Sequence, residues 1–179
     1  MKRFFIACIS MFMLASSFAG TRKIPPDESI ATIWIPDKWQ SQQRGDAIEA
    51  SPPDAAILFL VAPVEHNKVA EALGEAMQFF RNRDEGFFVK PESRHDETGK
   101  VNDKEAHFVS WQGKDRKGEI ETKFVIVFLA PNKSLIAAYD GSPAASEKYH
   151  RDLDKMIQSI SNIEASNEQN RKSETENRK

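Results

Sequence analysis

Residues 120–130 (Ile-Glu-Thr-Lys-Phe-Val-Ile-Val-Phe-Leu-Ala) constrain the fold more than any other stretch of the chain. After a charged start, apolar residues stop alternating with polar ones. Phe124, Ile126 and Phe128 fall on one face, and Val125, Val127 and Leu129 on the other. A strand wetted on one side alternates, whereas a strand covered on both sides does not. The stretch is expected to be a central strand with layers packed on both faces, ended by Pro131.

The first residues read as an address. Lys2 and Arg3 precede an apolar run, and Ser17-Phe18-Ala19 supplies small residues for a signal-peptide cleavage between Ala19 and Gly20. The apolar stretch 4–19 is sixteen residues long. A bilayer span needs roughly 20, so a cleaved signal is expected rather than an anchor. The run before Cys8 is too short for a lipoprotein signal. Cleavage leaves 160 residues and takes the formal charge from −2 to −4. It also removes the only cysteine, so an exported product has no disulfide and relies on its core. A chain of this size buries roughly 70% of its unfolded surface, enough for one core. Mild acidity argues against a nucleic-acid partner. No second apolar segment nears bilayer length, so no stable membrane insertion is expected after cleavage.

Residues 20–29, with Pro25-Pro26, read as a leader into a domain spanning 30–163. Residues 30–35 form a strand stopped by Pro36, with Trp39 just past the turn. Residues 40–45 read as a polar loop. Residues 46–50 and 55–62, joined by the turn Ser51-Pro52-Pro53-Asp54, read as a hairpin. In 67–83 the period changes. Val69, Leu73, Ala76, Met77 and Phe80 recur at helical spacing, with His66 or Asn67 as cap. Residues 86–89 read as a strand. Residues 90–104 hold eight charges plus His95 and no apolar period, the mark of a long functional or disordered loop.

Residues 105–112 alternate, with His107, Val109 and Trp111 on one face, and 113–118 is a polar turn. Residues 134–139 are the last strand. Ser142 then caps a helix with Pro143 at its first position, and Tyr149, Leu153, Met156, Ile157, Ile160 and Ile163 are its buried stripe. In 164–179 the only aliphatic residue is Ala165, and a disordered polar tail is expected. Short turns between the last three strands predict an antiparallel meander. The expected class is α+β: a three-layer α/β/α sandwich whose mainly antiparallel sheet has about six strands flanked by helices.

Catalytic signatures are missing from the sequence. It contains no Gly-x-Ser-x-Gly elbow, no Gly-rich phosphate loop, no His-Glu-x-x-His helix and no calcium-loop spacing. No catalytic residue and no cofactor is assigned. His95, Asp96, Asp103 and His107 carry the ligand types for zinc or manganese. Adjacent side chains diverge, however, and a solvated charged loop explains the same residues. The candidate binding surface is the 90–104 segment, through Arg94, His95, Asp96 and Lys100, together with Trp39 and Trp111. Trp34, Trp39 and Trp111 can form an aromatic floor for a ligand or pack strand ends. Lys114, Arg116 and Lys117, with Lys123 nearby, suit an anionic partner or a solvated turn.

Three short motifs resemble the PsbP-like, Mog-type superfamily, which includes DcrB-like bacterial envelope proteins. Ile35-Pro36-Asp37-Lys38-Trp39 resembles its Ile-Pro-x-x-Trp opening, with Asp-Lys where many members carry a Gly before the Trp. Ser51-Pro52-Pro53-Asp54 and the apolar run after it resemble the hairpin that follows. Tyr139-Asp140-Gly141 and Met156-Ile157-Gln158-Ser159-Ile160 resemble its closing helix with an Ile-x-x-Ser-Ile finish. The resemblance implies an antiparallel sheet between helices and a non-catalytic accessory or binding role. It carries over no set of functional residues. The expectation is therefore an exported accessory protein of the bacterial envelope, periplasmic or extracellular, acting on a protein partner. A metal-dependent enzyme or carrier using the 95–107 region and a small-ligand binder are the alternatives.

Overall fold

The computed structural model describes residues 20–25, 29–65, 68–84 and 86–163. The expected signal peptide with its Ala19 cleavage position, the helix caps His66 and Asn67, and the tail 164–179 lie outside the described residues. Five strands come first: β1 (Gly20–Ile24), β2 (Ala31–Ile35), β3 (Gln40–Arg44), β4 (Ala47–Ser51) and β5 (Ile57–Val64). Helix α1 (Val69–Arg83) leads to β6 (Phe88–Val89), a single 3-10 turn, and β7 (His95–Val101). The meander β8 (Lys104–Asp115), β9 (Gly118–Ala130) and β10 (Lys133–Gly141) precedes α2 (Pro143–Gln158) and the short β11 (Ser161–Asn162).

The described residues form an α+β fold, with two sheets and two helices. The main sheet has eight strands in the order β3-β4-β5-β10-β9-β8-β6, with β7 also paired to β8. A separate three-stranded sheet runs β1-β2-β11. Every pairing among the described residues is antiparallel.

Strand β9 lies between β10 and β8, as its sequence requires. Phe124 and Ile126 pack on one face with Ala76 and Phe80 of α1. Val125, Val127 and Leu129 pack on the other with Leu153 and Met156 of α2 and Ile33 of β2. Each large apolar side chain buried this way contributes roughly 1.5–3 kcal/mol. Ser142 caps α2 as expected, its hydroxyl accepting the Ala145 N–H at 3.2 Å. The β4–β5 hairpin and the β8–β9–β10 meander also match expectation.

The expected sheet of about six strands is corrected to eight plus three, and the reason is the same in each case. Residues 20–24 of the supposed leader pair with β2, so that Ile24 is fully buried. The supposed loop 40–45 is the edge strand β3, almost wholly exposed, and it pairs with β4. The supposed long loop 90–104 is the 3-10 turn followed by β7. These strands bury few side chains and are held by backbone hydrogen bonds, which leave no hydrophobic period to read. Residues 30–35 do form a strand, but it joins the small sheet rather than the main one. The last helix stops at Gln158 instead of running to 163, because Ser159 caps it. Among the described residues no helix is long and apolar enough to cross a membrane.

Candidate functional site

The β7–β8 hairpin organises the candidate residues. Val101 pairs with Lys104 across Asn102 and Asp103, whose φ angles are 45° and 65°. Two positive-φ residues make a tight hairpin turn that asparagine and aspartate tolerate. Side chains then alternate along β7. His95, Glu97, Gly99 and Val101 face the α2 side, where Val101 joins the core. Asp96, Thr98 and Lys100 face the α1 side, where Val109, the partner of Asp96, is buried.

On the α1 side Arg94 grips Asp96 through both carboxylate oxygens, at 2.6 and 2.7 Å. Its guanidinium lies 5.3 Å from the Trp111 ring centroid. The hydrogen bonds from Arg94 hold the Asp96 carboxyl below its ordinary range. Three expected binding residues, Arg94, Asp96 and Trp111, therefore come together. Lys100 lies further along the same face of β7, exposed. Trp39 does not join them. It immediately precedes β3, at the opposite edge of the sheet, and is 2% exposed. Its Nε1 donates to Asp152 Oδ2 at 3.3 Å, and its ring meets Tyr149 edge-on at 5.7 Å. Trp34 lies under the Lys155 ammonium at 3.9 Å. Trp39 and Trp111 belong to cores on opposite faces, so the three tryptophans do not form one floor.

The four metal candidates are also divided. His95 faces away from Asp96, His107 packs edge-on against Phe128 at 5.3 Å, and Asp103 sits in the hairpin turn. Among the described residues no group of three or more His, Asp or Glu side chains is placed to hold a metal ion.

The α2 side of the hairpin carries a concavity of about 350 Å³. Two rows cross the strands there. His95, Ser110, Lys123 and Tyr139 are successive cross-strand partners, and so are Glu97, Phe108, Val125 and Ala137. Phe108 lies against Gly99, where even a Cβ would come within 3.2 Å of its ring. Lys123 bonds Glu121 at 3.1 Å and sits 5.9 Å from the Tyr139 ring centroid. Burial works against the Lys123 charge, but Tyr139 and Glu121 outweigh it and raise its pKa. Burial pushes the Tyr139 hydroxyl up as well. Sequence reasoning missed Ser110 and Tyr139 as site residues, and named Lys123 only as a neighbour of the basic turn 114–117. A lysine inside the apolar central strand was the available signal, but the register that gives it neighbours cannot be read from one strand.

A larger cleft of about 700 Å³ opens at the other end of the sheet, beside Asp140. Several of its polar groups already hold turns or join elements within the chain. Asp54 takes Lys148, Tyr149 and the Ala56 N–H; Asp115 takes the Lys117 and Gly118 N–H groups; Arg83 pairs with Glu49. In the β7–β9 concavity, by contrast, His95, Glu97 and Ser110 bond to nothing else among the described residues. They stand free around an apolar floor of Phe108 and Val125, which makes that face the candidate site.

No protein-family model and no curated protein matches the sequence. Solved structures do match in shape. Cyanobacterial PsbP (CyanoP) from Synechocystis sp. PCC 6803 aligns at TM-score 0.55 and 8% identity, covering 83% of this chain and 96% of that one. This chain has the PsbP-like fold. A protein from Bacteroides thetaiotaomicron aligns at TM-score 0.51 and 11% identity over 74% of this chain, which spans only 44% of that relative. LpqN, involved in cell envelope biogenesis of Mycobacterium tuberculosis, aligns at TM-score 0.45 and 10% identity, covering 73% and 82%.

Within the PsbP-like fold the resembling motifs have structural jobs. The Trp39 N–H closes a turn onto the Pro36 carbonyl at 3.0 Å. Gly141 lies so close to Ile57 and the Ala56 carbonyl that a side chain would collide with both. Ser159 ties the end of α2 to β2. None of the motif residues lines the concavity; Tyr139 lies one strand beyond it, opposite Lys123.

Proposed function

We propose that this chain is an exported, non-catalytic accessory or binding protein of the bacterial envelope, acting through protein–protein contacts at the β7–β9 concavity. Support for the role comes from the PsbP-like fold, whose members are often envelope or lumenal accessory proteins, and from the signal-peptide pattern of residues 1–19. The observation that carries the surface assignment is the free set His95, Glu97 and Ser110 around Phe108 and Val125. Side chains that form no hydrogen bond or ion pair among the described residues are available to a partner, and an apolar floor inside a polar rim is the anatomy of a contact hot spot.

The test is in-cell crosslinking of the tagged protein read by mass spectrometry, comparing wild type with a His95→Ala/Glu97→Lys variant. Gln40→Lys on the opposite sheet edge serves as the control. A partner retained by the control and lost by the double variant is the expected result. Equal recovery of every partner by all three proteins rejects the surface. A small-molecule reading shares the site, because a volume of about 350 Å³ falls within the range of ligand pockets. A ligand whose saturable binding is lost in the His95→Ala/Glu97→Lys variant, with no crosslinked partner, would favour it.

A further inference from the structure

Strand β7 is paired on one side only. It bonds β8 through seven registered residue pairs, and no other strand among the described residues pairs with it. Six of its seven residues are exposed, so neither face is covered. The orientation of its backbone follows from the tight turn. Val101 and Lys104 flank a two-residue turn and therefore exchange both backbone hydrogen bonds, and every second residue of β7 does the same. Gly99, Glu97 and His95 thus point their N–H and C=O groups at β8. Asp96, Thr98 and Lys100 point theirs outward, unpaired by any strand among the described residues.

We propose that β7 pairs antiparallel with β7 of a second copy of this chain, centred on Thr98, joining two main sheets into one. In that register the outward-pointing residues meet each other, which satisfies the free backbone groups. Thr98 faces the partner's Thr98, Asp96 faces the partner's Lys100, and Lys100 faces the partner's Asp96. The charges complement each other twice by symmetry, and opposite charges directly across an antiparallel pair stabilise it. Among the described residues Lys100 has no side-chain bonding partner. Asp96 is bound by Arg94, but a carboxylate has lone pairs to accept a second cation. On the other face Glu97 falls opposite the partner's Gly99, where no side chain crowds it.

Neighbouring registers lose this match. Sliding two residues one way sets Arg94 against the partner's Lys100. Sliding two the other way leaves Asp96 opposite Asn102, with no cation. Charged edge strands normally discourage pairing. This one discourages the wrong registers and leaves one open.

Sedimentation of the full chain over a concentration series up to the high micromolar range tests the proposal. Wild type is expected to dimerise. Thr98→Pro removes an outward N–H without touching a bond to β8 and is expected to sediment as a monomer. Lys100→Glu sets like charges across the pair and is expected to do the same. Asp96→Lys combined with Lys100→Glu restores opposite charges in the same register and is expected to recover the dimer. A wild type that stays monomeric overturns the proposal, and so does a dimer that survives both single changes. A charge-swapped double variant that remains monomeric overturns the register. If Thr98→Pro does not fold, Lys100→Glu and the double variant decide the matter without it.

Discussion

The Ser159 hydroxyl accepts the Trp34 backbone N–H at 2.8 Å, joining two positions 125 residues apart in sequence. The same hydroxyl donates to the Met156 carbonyl at 2.6 Å. One side chain therefore closes the last turn of α2 and docks that helix onto β2, next to the fully buried Ile160. It explains in physical terms why the closing helix ends in a serine followed by an isoleucine.

Replacing Ser159 by alanine removes both bonds and leaves the Trp34 N–H part-buried without an acceptor. A bond of this kind contributes about 1 kcal/mol, and an unsatisfied buried donor costs about 1–3 kcal/mol. Ser159→Ala is expected to lower unfolding free energy by about 1–3 kcal/mol with the far-ultraviolet circular dichroism of the native state unchanged. Urea titration measures it. A midpoint equal to that of wild type would mean that water replaces the hydroxyl at no cost.

Glu49 supports a second prediction. Its side chain is 2% exposed and faces the α1 side of β4, where Arg44 Nε lies 2.7 Å and Arg83 Nη2 2.6 Å from its oxygens. The Gln42 amide donates to the same Oε2 as Arg83, at 2.8 Å, whereas Arg44 meets Oε1 as an ion pair without hydrogen-bond alignment. The network ties β3, β4 and the end of α1 together. A buried acid stripped of its partners costs several kcal/mol, whereas an arginine near the surface regains water. Glu49→Ala is expected to cost about 1–3 kcal/mol. Arg44→Ala costs less, because Glu49 keeps Arg83. Denaturant unfolding of the three proteins gives the ranking, and an Arg44 variant weaker than the Glu49 variant would contradict the assignment of the acid as the hub.

Legibility in the sequence followed side-chain burial. Residues 120–130 announced a strand covered on both faces because both of its faces bury apolar groups. The α2 stripe and its Ser142–Pro143 start were equally plain. Strands β1, β3 and β7 were lost because their side chains meet mostly water, and the information that places them lies in backbone pairing. Asn102-Asp103 was the one local sign of the β7–β8 turn. Recognition of the candidate site was partial for a related reason. His95 could be chosen as a polar residue in an unpatterned stretch. Its row with Ser110, Lys123 and Tyr139 exists only through the registers of four strands, which no single segment encodes. Trp39 was misassigned to the binding edge because an aromatic beside a turn looks the same in sequence whether it faces solvent or the Asp152 carboxylate.

Asp140 gives a prediction whose sign can be worked out. Burial, with Asp115 and Asp84 adding, raises its pKa from 3.8 to about 6, while the Thr122 hydroxyl and Lys117 pull it back. Thr122 Oγ1 donates to Asp140 Oδ1 at 3.0 Å. The folded protein therefore holds this proton more tightly than the unfolded chain does. The contribution to stability is fully present below about pH 3.8 and is lost as pH rises through about 6. At neutral pH the ionised carboxylate costs at most about 3 kcal/mol. Asp140→Asn keeps an acceptor for Thr122 and cannot ionise. It is expected to match wild type near the acid end of that window and to be the more stable protein above it, the gap opening between roughly pH 4 and pH 6. Unfolding both proteins at several pH values isolates Asp140 and the charges coupled to it, since titrations that do not interact with it cancel in the difference. Parallel profiles would show that Asp140 ionises as an ordinary surface carboxylate and that the cleft beside it is fully wetted.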